Sequence, residues 1–269
     1  MQNQSSQWFI PAILALCAGL ALWYYWVKVS EPLPRTMPPE PAPPAVEAPA
    51  ELPGPLHPVE PIAEEAPEPQ DLVPLPPLDQ SDDYFKLEIS DVFGAAIEEM
   101  LADTRVIERV VATVDNLPRS HVAERIRPLG RLNDSFVVDS QDASGEYFID
   151  TTNYRRYDAL VDMAMAADLD ALTELYRRYY PLFQAAYVDL GYPQGYFNDR
   201  LVEVIDHLLA TPDIGDPVPL VRPHVLYEYE DPDLEALSSG QKLLLRMGRE
   251  HRNNLKGRLR ELRDRVTAL

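Results

Sequence analysis

The chain has 269 residues, and its 44 Asp and Glu against 24 Lys and Arg leave a formal net charge of -20. A surface this acidic argues against nucleic-acid binding, because neutralising phosphates requires a basic face. The one cysteine, Cys17, lies in an apolar segment near the N-terminus, so the rest of the chain has no thiol for a disulfide or a cysteine-ligated zinc site.

An uncharged apolar segment follows a short leader, residues 1–7. Residues 8–27 read WFIPAILALCAGLALWYYWV, and about 20 such residues form a helix that crosses the roughly 30 Å of a bilayer core. Aromatic residues at both ends are typical of the two membrane interfaces. A cleaved signal peptide would have a basic leader and a shorter apolar core. The pattern therefore predicts a transmembrane helix over residues 8–27, in contact with membrane lipid.

The orientation of this helix depends on two conflicting signals. Lys28 and Arg35 follow the helix and no basic residue precedes it, which weakly favours a cytoplasmic C-terminal side. A proline-rich spacer also follows, and by analogy such spacers carry domains away from a membrane into an envelope space. We predict a single-pass inner (plasma) membrane protein whose C-terminal domain is periplasmic, against the direction that Lys28 and Arg35 favour.

Prolines recur every few residues across the next segment, among Ala, Glu and Leu. Proline fixes φ and removes amide donors, so such a segment is extended, reaching at most about 150 Å at ~3.1 Å per residue. The composition predicts a disordered acidic Pro-rich linker over residues 28–80. A Pro-x-x-Pro ligand for an aromatic groove is an alternative, although this composition produces that spacing unavoidably.

From residue 81 onward the prolines become fewer and apolar residues become periodic, which predicts one mainly α domain over residues 81–269 with a small β-hairpin. Its first half contains, in chain order, a helix marked by Ile89 to Leu101, a helix marked by Val106 to Val114, a short helix from Ser120 to Arg127, and a hairpin of Phe136 to Ser140 with Glu146 to Asp150. Its second half contains a helix from Asn153 to Ala167, a long helix from Asp170 to Leu190, a helix over Phe197 to Leu208, short extended pieces between Val218 and Tyr229, and a final helix from Ser238 or Ser239 almost to Leu269.

Residues 191–212, GYPQGYFNDRLVEVIDHLLATP, combine aromatic, amide and charged side chains and have two interpretations. One is an active site. The other is a helix in which Asn198 is the N-cap, Asp199 suits the positive start and His207 suits the negative end. Asp206 and His207 are sequence neighbours and point about 100° apart, so they form no orienting pair. The helix interpretation is favoured over catalysis.

Other signatures of catalysis or ligand binding are weak. The five histidines share no metal-ligand spacing, and the sequence has no glycine-rich phosphate loop or nucleophile elbow. Acidic groups around Asp168 and Asp231 would suit calcium or acid/base chemistry, yet both groups lie where helices begin and are typical of caps. We therefore predict no catalytic, cofactor-binding or metal-binding residue and no cofactor, and an enzymatic role is the less favoured one.

Two surfaces are candidates for binding. The tyrosines between 176 and 196 are either a core stripe, which is favoured, or a sugar-stacking groove. The last helix, residues 238–269, has nine Lys or Arg against three Asp or Glu, whereas residues 81–237 have thirteen against thirty-one. This helix either docks on its own acidic domain or also meets an anionic partner. The candidate residues are Tyr192, Tyr196, Asn198, Asp199, Arg200, Arg258, Arg260, Arg263 and Arg265.

Three stretches of the domain carry a resemblance to a known family: YPLFQAAYVDLGYPQGYFNDRLVEVIDHLLATP, VLYEYEDPDLEALSSGQKLLLRMG and, more loosely, LPRSHVAERIRPL. The folded part resembles the bacterial domain of unknown function numbered 3014. The resemblance implies a single-pass inner-membrane protein of Gram-negative bacteria and brings no catalytic residues. We expect an envelope interaction or scaffold protein with an unidentified envelope protein partner; the alternative is an envelope enzyme or carbohydrate-binding domain that uses the surface from Tyr192 to Arg200.

Overall fold

The computed structural model describes residues 54–60, 74–131, 135–141 and 146–269. The predicted leader, the predicted transmembrane helix over residues 8–27 and most of the predicted linker lie outside these ranges. Within them, no helix combines the length and the apolar character needed to cross a bilayer.

Helices dominate the described ranges, as the sequence predicts. They are, in chain order, α1 (Asp82–Phe93), α2 (Ala96–Met100), α3 (Val106–Asn116), α4 (Thr152–Arg155), α5 (Asp158–Ala166), α6 (Leu169–Asp189), α7 (Phe197–Leu209), α8 (Pro232–Glu235), α9 (Ser239–Arg246) and α10 (Gly248–Val266). Two 3-10 turns are added, at Leu78–Gln80 and Glu124–Ile126.

The main core is organised around α6, the longest of these helices with 21 residues. Tyr179, Phe183 and Tyr187 recur every four residues and are buried. Phe85 of α1 meets the Tyr179 ring edge-on at 5.1 Å between centroids, and Phe197 of α7 stacks on Phe183 at 5.6 Å. Each such pair adds about 0.5–1.5 kcal/mol beyond burial of its area. The stripe therefore joins α1 and α7 to one central helix.

The predicted hairpin is confirmed, and it is part of a larger sheet. Strands β1 (Val138–Gln141) and β2 (Glu146–Ile149) are antiparallel, and β3 (Pro219–Val221) and β4 (Glu228–Tyr229) extend them in the order β1-β2-β3-β4. The extended pieces predicted near residues 218–229 are thus the other half of this sheet. Its apolar residues pack with Leu245 of α9, so the sheet lies against the helices rather than standing alone.

Three helices that the periodicity predicts as continuous are divided. Gly94 has φ of 85° and separates α1 from α2, and Gly248 has φ of 82° where α9 gives way to α10. A left-handed φ favours glycine and is typical of helix ends. A Cβ on Gly248 would also lie 2.8 Å from the Tyr154 ring. The helix predicted from Asn153 to Ala167 divides into α4 and α5, so apolar spacing alone overestimates helix length here.

Two shorter predictions also need correction. The helix predicted from Ser120 to Arg127 is only the 3-10 turn at Glu124–Ile126. The long helix begins at Leu169 with Asp168 as its N-cap, not at Asp170, because the Asp168 carboxylate accepts the amides of residues 170 and 171.

The folded part begins before residue 81. Leu75 and Leu78 pack against the main core, and Ser81 is fully buried. Residues 54–60 lie against the start of α7 through hydrogen bonds described below. These two stretches fall within residues 28–80, the range that the sequence analysis assigns to the Pro-rich linker.

Candidate functional site

Two residues of the predicted candidate surface, Tyr192 and Arg200, meet at a carboxylate that the sequence analysis did not single out. Asp115, near the end of α3, is 2% exposed. Its Oδ1 accepts from Arg200 Nε at 3.0 Å and its Oδ2 accepts from Arg119 Nη2 at 2.8 Å. Arg200 also donates to the Asp115 carbonyl at 2.9 Å. A buried carboxylate is tolerated when it is paired and hydrogen-bonded in this way.

Burial disfavours the charged form of Arg200, but its hydrogen bond to Glu203 and the charges of Glu203 and Asp115 outweigh that effect, so the pKa of Arg200 is raised. The distance from Arg200 Nη1 to the Glu203 carboxylate is 2.8 Å. Arg200 is therefore a permanent cation whose three nitrogens all have partners within the fold.

Tyr192 belongs to the same cluster. Its ring stacks on Tyr187 with 4.6 Å between centroids. Its hydroxyl donates to Asp115 Oδ2 at 3.3 Å and accepts from Arg119 at 3.2 Å. Tyr196 lies outside this cluster, at the N-cap position of α7, and is partly exposed. The structure thus joins Tyr192 and Arg200 through Asp115 in a network that holds α3, α6 and α7 together.

Asn198 does not cap α7 as predicted. The helix begins one residue earlier, so Asn198 lies in the first turn and is fully buried. Its Nδ2 donates to the Val266 carbonyl at 2.9 Å and to the His57 carbonyl at 3.0 Å, and its Oδ1 accepts from the Tyr176 hydroxyl at 3.1 Å. The amide therefore joins three parts of the chain instead of satisfying its own helix end.

The neighbouring Asp199 binds the same distant stretch. Its two carboxylate oxygens accept the backbone amides of Leu56 at 2.9 Å and His57 at 2.7 Å, from more than 140 residues away. We call Asn198 and Asp199 the peptide clamp, because together they contact the amides of Leu56 and His57 and the His57 carbonyl in a segment that bends at these two residues. The segment, residues 54–60, reads GPLHPVE.

The arginines of the last helix face the domain. Arg258 donates to the carbonyls of Ala164, at 3.1 Å, and Ala167. Arg263 and Arg265 contact the carboxylates of Asp206, at 3.0 Å, and Asp170, at 2.7 Å. The Arg263 hydrogen bond lowers the pKa of Asp206. Arg260 is exposed. These contacts support the docking interpretation of α10, and capture of a partner by this face stays a prediction.

A further residue of the same helix was missed. Arg252 is fully buried, and its Nη2 donates to Asp213 at 3.0 Å and to the Ile214 carbonyl at 2.6 Å. Arg252 lies three residues before Leu255 and seven before Leu259, on the apolar stripe. Asp115 likewise lies four residues after the buried Val111. A charged residue in register with an apolar stripe is the signal that would have found both.

The aromatic stripe of α6 is core, as favoured. Tyr179 is fully buried and its hydroxyl donates to Glu88 at 3.0 Å. Burial raises the pKa of Tyr176 well above its usual value, followed by the charges of Tyr180 and Asp199. These rings pack with the main core.

The acidic groups at helix starts are caps. Asp231 accepts the amide of residue 233 at 2.9 Å at the start of α8, as Asp168 does for α6. His207 contacts the Ser238 hydroxyl at 2.8 Å and so ties the end of α7 to the capping box of α9. Across the described ranges, no group of three or more His, Cys, Asp or Glu side chains is arranged to hold a metal ion.

Comparison with known proteins gives one match. The sequence model of a family described as "Protein of unknown function (DUF3014)" matches residues 106–263, from the start of α3 to within the last turn of α10. Neither the curated proteins nor the solved structures contain a match to the chain.

Proposed function

This chain belongs to the DUF3014 family of proteins of unknown function, and from that premise we propose that it is a membrane-anchored interaction module that recognises a short peptide segment through its main chain. The observation that carries the proposal is the peptide clamp. Asn198 and Asp199 contact the backbone of Leu56 and His57 rather than their side chains. Recognition through main-chain groups is how many domains bind extended peptides.

The segment that occupies the clamp belongs to the chain itself. Leu56 is 81% exposed, so little apolar area is buried and the hydrogen bonds supply most of the contact. A tethered segment acts at an effective concentration of about millimolar when its linker is short and flexible. A partner with a similar segment can then compete with residues 54–60, and the module alternates between a closed and an open form.

The anchored arrangement is the part of this proposal that rests on the sequence. The apolar residues 8–27 and the Pro-rich segment after them support a single-pass protein of the inner membrane with the domain held in the envelope space. In that setting, the partner is an envelope protein and the role is that of a scaffold.

The alternative of an envelope enzyme or carbohydrate binder receives less support. Its surface needed Tyr192, Asn198 and Arg200 to be available, and all three are hydrogen-bonded within the fold. Polar groups that already have partners gain little by binding a sugar.

Substitution of both donors in the linker tests the clamp. In Leu56→Pro/His57→Pro, the segment loses the two N–H groups that donate to the Asp199 carboxylate. We expect the full-length variant in detergent to bind a labelled GPLHPVE peptide more tightly than the wild-type protein does, measured by fluorescence anisotropy. Val59→Pro adds a proline to the same segment away from these donors and is the matched control.

Substitution on the domain side completes the test. Asp199→Ala, combined with the two proline substitutions, should lose the labelled peptide, whereas Glu203→Ala on the next turn of α7 should keep it. Equal binding by the Asp199→Ala protein would contradict the proposal.

The topology needs a separate experiment. A reporter that is active only in the periplasm, fused after Ser81, should be active. Activity from a cytoplasmic reporter alone would reverse the orientation and agree with Lys28 and Arg35.

A further inference from the structure

An apolar pocket of about 310 Å³ opens between the helices of the main core, and we call it the apolar cavity. Helices α1, α2, α3, α6, α7 and α10 all contribute to its wall. Its lining includes Phe85, Ile97, Val110, Leu172, Phe197 and Leu262. Apart from the Tyr176 hydroxyl, which bonds to Asn198, the side chains of the wall are aliphatic, phenyl or proline groups.

An apolar opening of this size between packed helices is unusual. Interiors are packed nearly as densely as organic crystals, with few voids larger than a water molecule. Apolar cavities of roughly 150 Å³ stay dry and take up small apolar molecules, and ligand pockets begin at about 300 Å³. The cavity therefore suits an apolar ligand and excludes a charged one.

A second pocket of about 180 Å³ adjoins the first, because Leu129 lines both. Its wall includes Arg109, Arg127 and Arg131 against one acidic residue, Glu124. This excess of positive charge lies within residues 81–237, which are strongly acidic as a whole. The pocket is thus a local site for an anion on an otherwise repelling surface.

The fold holds two of these arginines in place. Arg109 donates to the carbonyls of Thr104 at 2.9 Å and Arg125 at 2.6 Å. Arg127 donates to the Val122 carbonyl at 3.2 Å. Carbonyl partners orient a guanidinium without neutralising its charge, so both cations keep their field in the pocket. Arg131 pairs with Glu124 at 2.7 Å at the exposed rim.

We propose that the two pockets together bind a single-chain amphiphile, with an alkyl chain in the apolar cavity and a carboxylate or phosphate head at Arg109, Arg127 and Arg131. If a methylene group takes up the ~30 Å³ that a water molecule occupies in the liquid, the cavity holds about ten methylene groups. This site shares no residue with the peptide clamp, so either proposal can fail alone.

Photolabelling of the full-length protein in membranes tests the site. The probe is decanoic acid with a diazirine near its methyl end, and labelled residues are located by mass spectrometry. We expect labels on the cavity wall, at residues such as Leu172 and Leu262, and not at the exposed Val225 and Leu226. Labelling spread equally over exposed apolar residues would overturn the proposal.

Variants of the apolar cavity separate specific from general labelling. Val110→Phe fills part of the space and should reduce labelling of the wall about tenfold, the effect of 1.4 kcal/mol in binding. Circular dichroism and the unfolding midpoint report whether the variant is folded, and Leu172→Phe makes the same test from the opposite wall. Undiminished labelling of either folded variant would overturn the proposal.

Variants of the basic pocket test the head group. Arg127→Gln/Arg131→Gln should weaken labelling by the acid but not by the matching decanol probe, which has no charge. Arg125→Gln, in the 3-10 turn Glu124–Ile126 just before Arg127 and outside the pocket lining, is the control. Equal loss with both probes would contradict an anionic head.

Competition identifies the source of the ligand. Unlabelled decanoate will displace the probe if the site takes a free fatty acid, and a medium-chain lysophosphatidylglycerol will displace it if the site takes a lipid phosphate. Failure of both competitors would overturn the proposal.

Discussion

The two sides of α3 (Val106–Asn116) differ in how completely their neighbours fill the space around them. Asp115 lies on one side and is 2% exposed. Its carboxylate accepts hydrogen bonds from two arginines and from a tyrosine hydroxyl. On another side, Val110 and Val114 border the apolar cavity of about 310 Å³. One side is tied by polar contacts, and the other leaves room for a molecule that the chain does not supply.

The difference shows where function can be sought in this fold. The residues that look chemical in the sequence, such as Tyr192 and Arg200, are used to hold helices together. The residues that look like ordinary core border the candidate ligand site. Polar groups must find partners when they are buried, whereas apolar side chains have no such requirement and can line a vacant space.

The largest expected effect is on the polar side. Asp115→Ala removes a buried carboxylate and leaves Arg200, which is partly buried, without one of its two carboxylate partners, which should lower the free energy of unfolding by about 3 kcal/mol. Chemical denaturation measures this change. Asp162→Ala, at an exposed position of α5, should change it by less than about 0.5 kcal/mol. Similar small changes for both variants would show that the Asp115 network does not support the fold.

An intermediate effect on stability is expected from substitutions on two other sides of α3, the side that borders the cavity and a side that is fully packed. Ala112 is 8% exposed and lies outside the cavity wall, so Ala112→Leu should overpack and cost about 1–3 kcal/mol. Val110→Ile adds one methylene towards the cavity and should stabilise by about 0.8 kcal/mol. Denaturation midpoints of the two variants should therefore move in opposite directions. Destabilisation by both would mean that the space beside Val110 is already filled.

The smallest effect concerns the last helix and depends on pH. The pKa of Asp206 is lowered below its ordinary 3.8, first by the hydrogen bond from Arg263. A carboxyl with a lowered folded pKa stabilises the protein above the unfolded pKa, and this contribution is lost as pH falls through the folded value. Asp206→Asn should thus have a lower thermal midpoint at neutral pH, and the difference should disappear below pH 3.8. Because the ion pair is exposed, added salt should also reduce this difference in thermal midpoint. A difference in thermal midpoint that does not change with pH would contradict the role of the ion pair.

The elements with strong local signals were predictable. The apolar spacing of α3, the capping residues Asp168, Asp231 and Ser238, and the hairpin of β1 and β2 all follow from side chains within a few residues of one another. Helix ends at Gly94 and Gly248 were missed, because a glycine with positive φ is not distinguishable by periodicity from one inside a helix. The burial of Arg252 was missed as well, although its register with Leu255 and Leu259 was visible.

The sequence by itself determined the acidic charge, the segmentation into an apolar stretch, a Pro-rich stretch and a mainly helical domain, and membership of DUF3014. These properties depend on composition and on local periodicity, both of which can be determined without knowledge of long-range contacts. The tertiary structure alone decided that Asp115 gathers Tyr192 and Arg200, that residues 54–60 reach Asp199, and that six helices surround an apolar pocket beside three arginines. Each of these joins residues far apart in the chain, and such contacts depend on how the helices pack together rather than on any one helix.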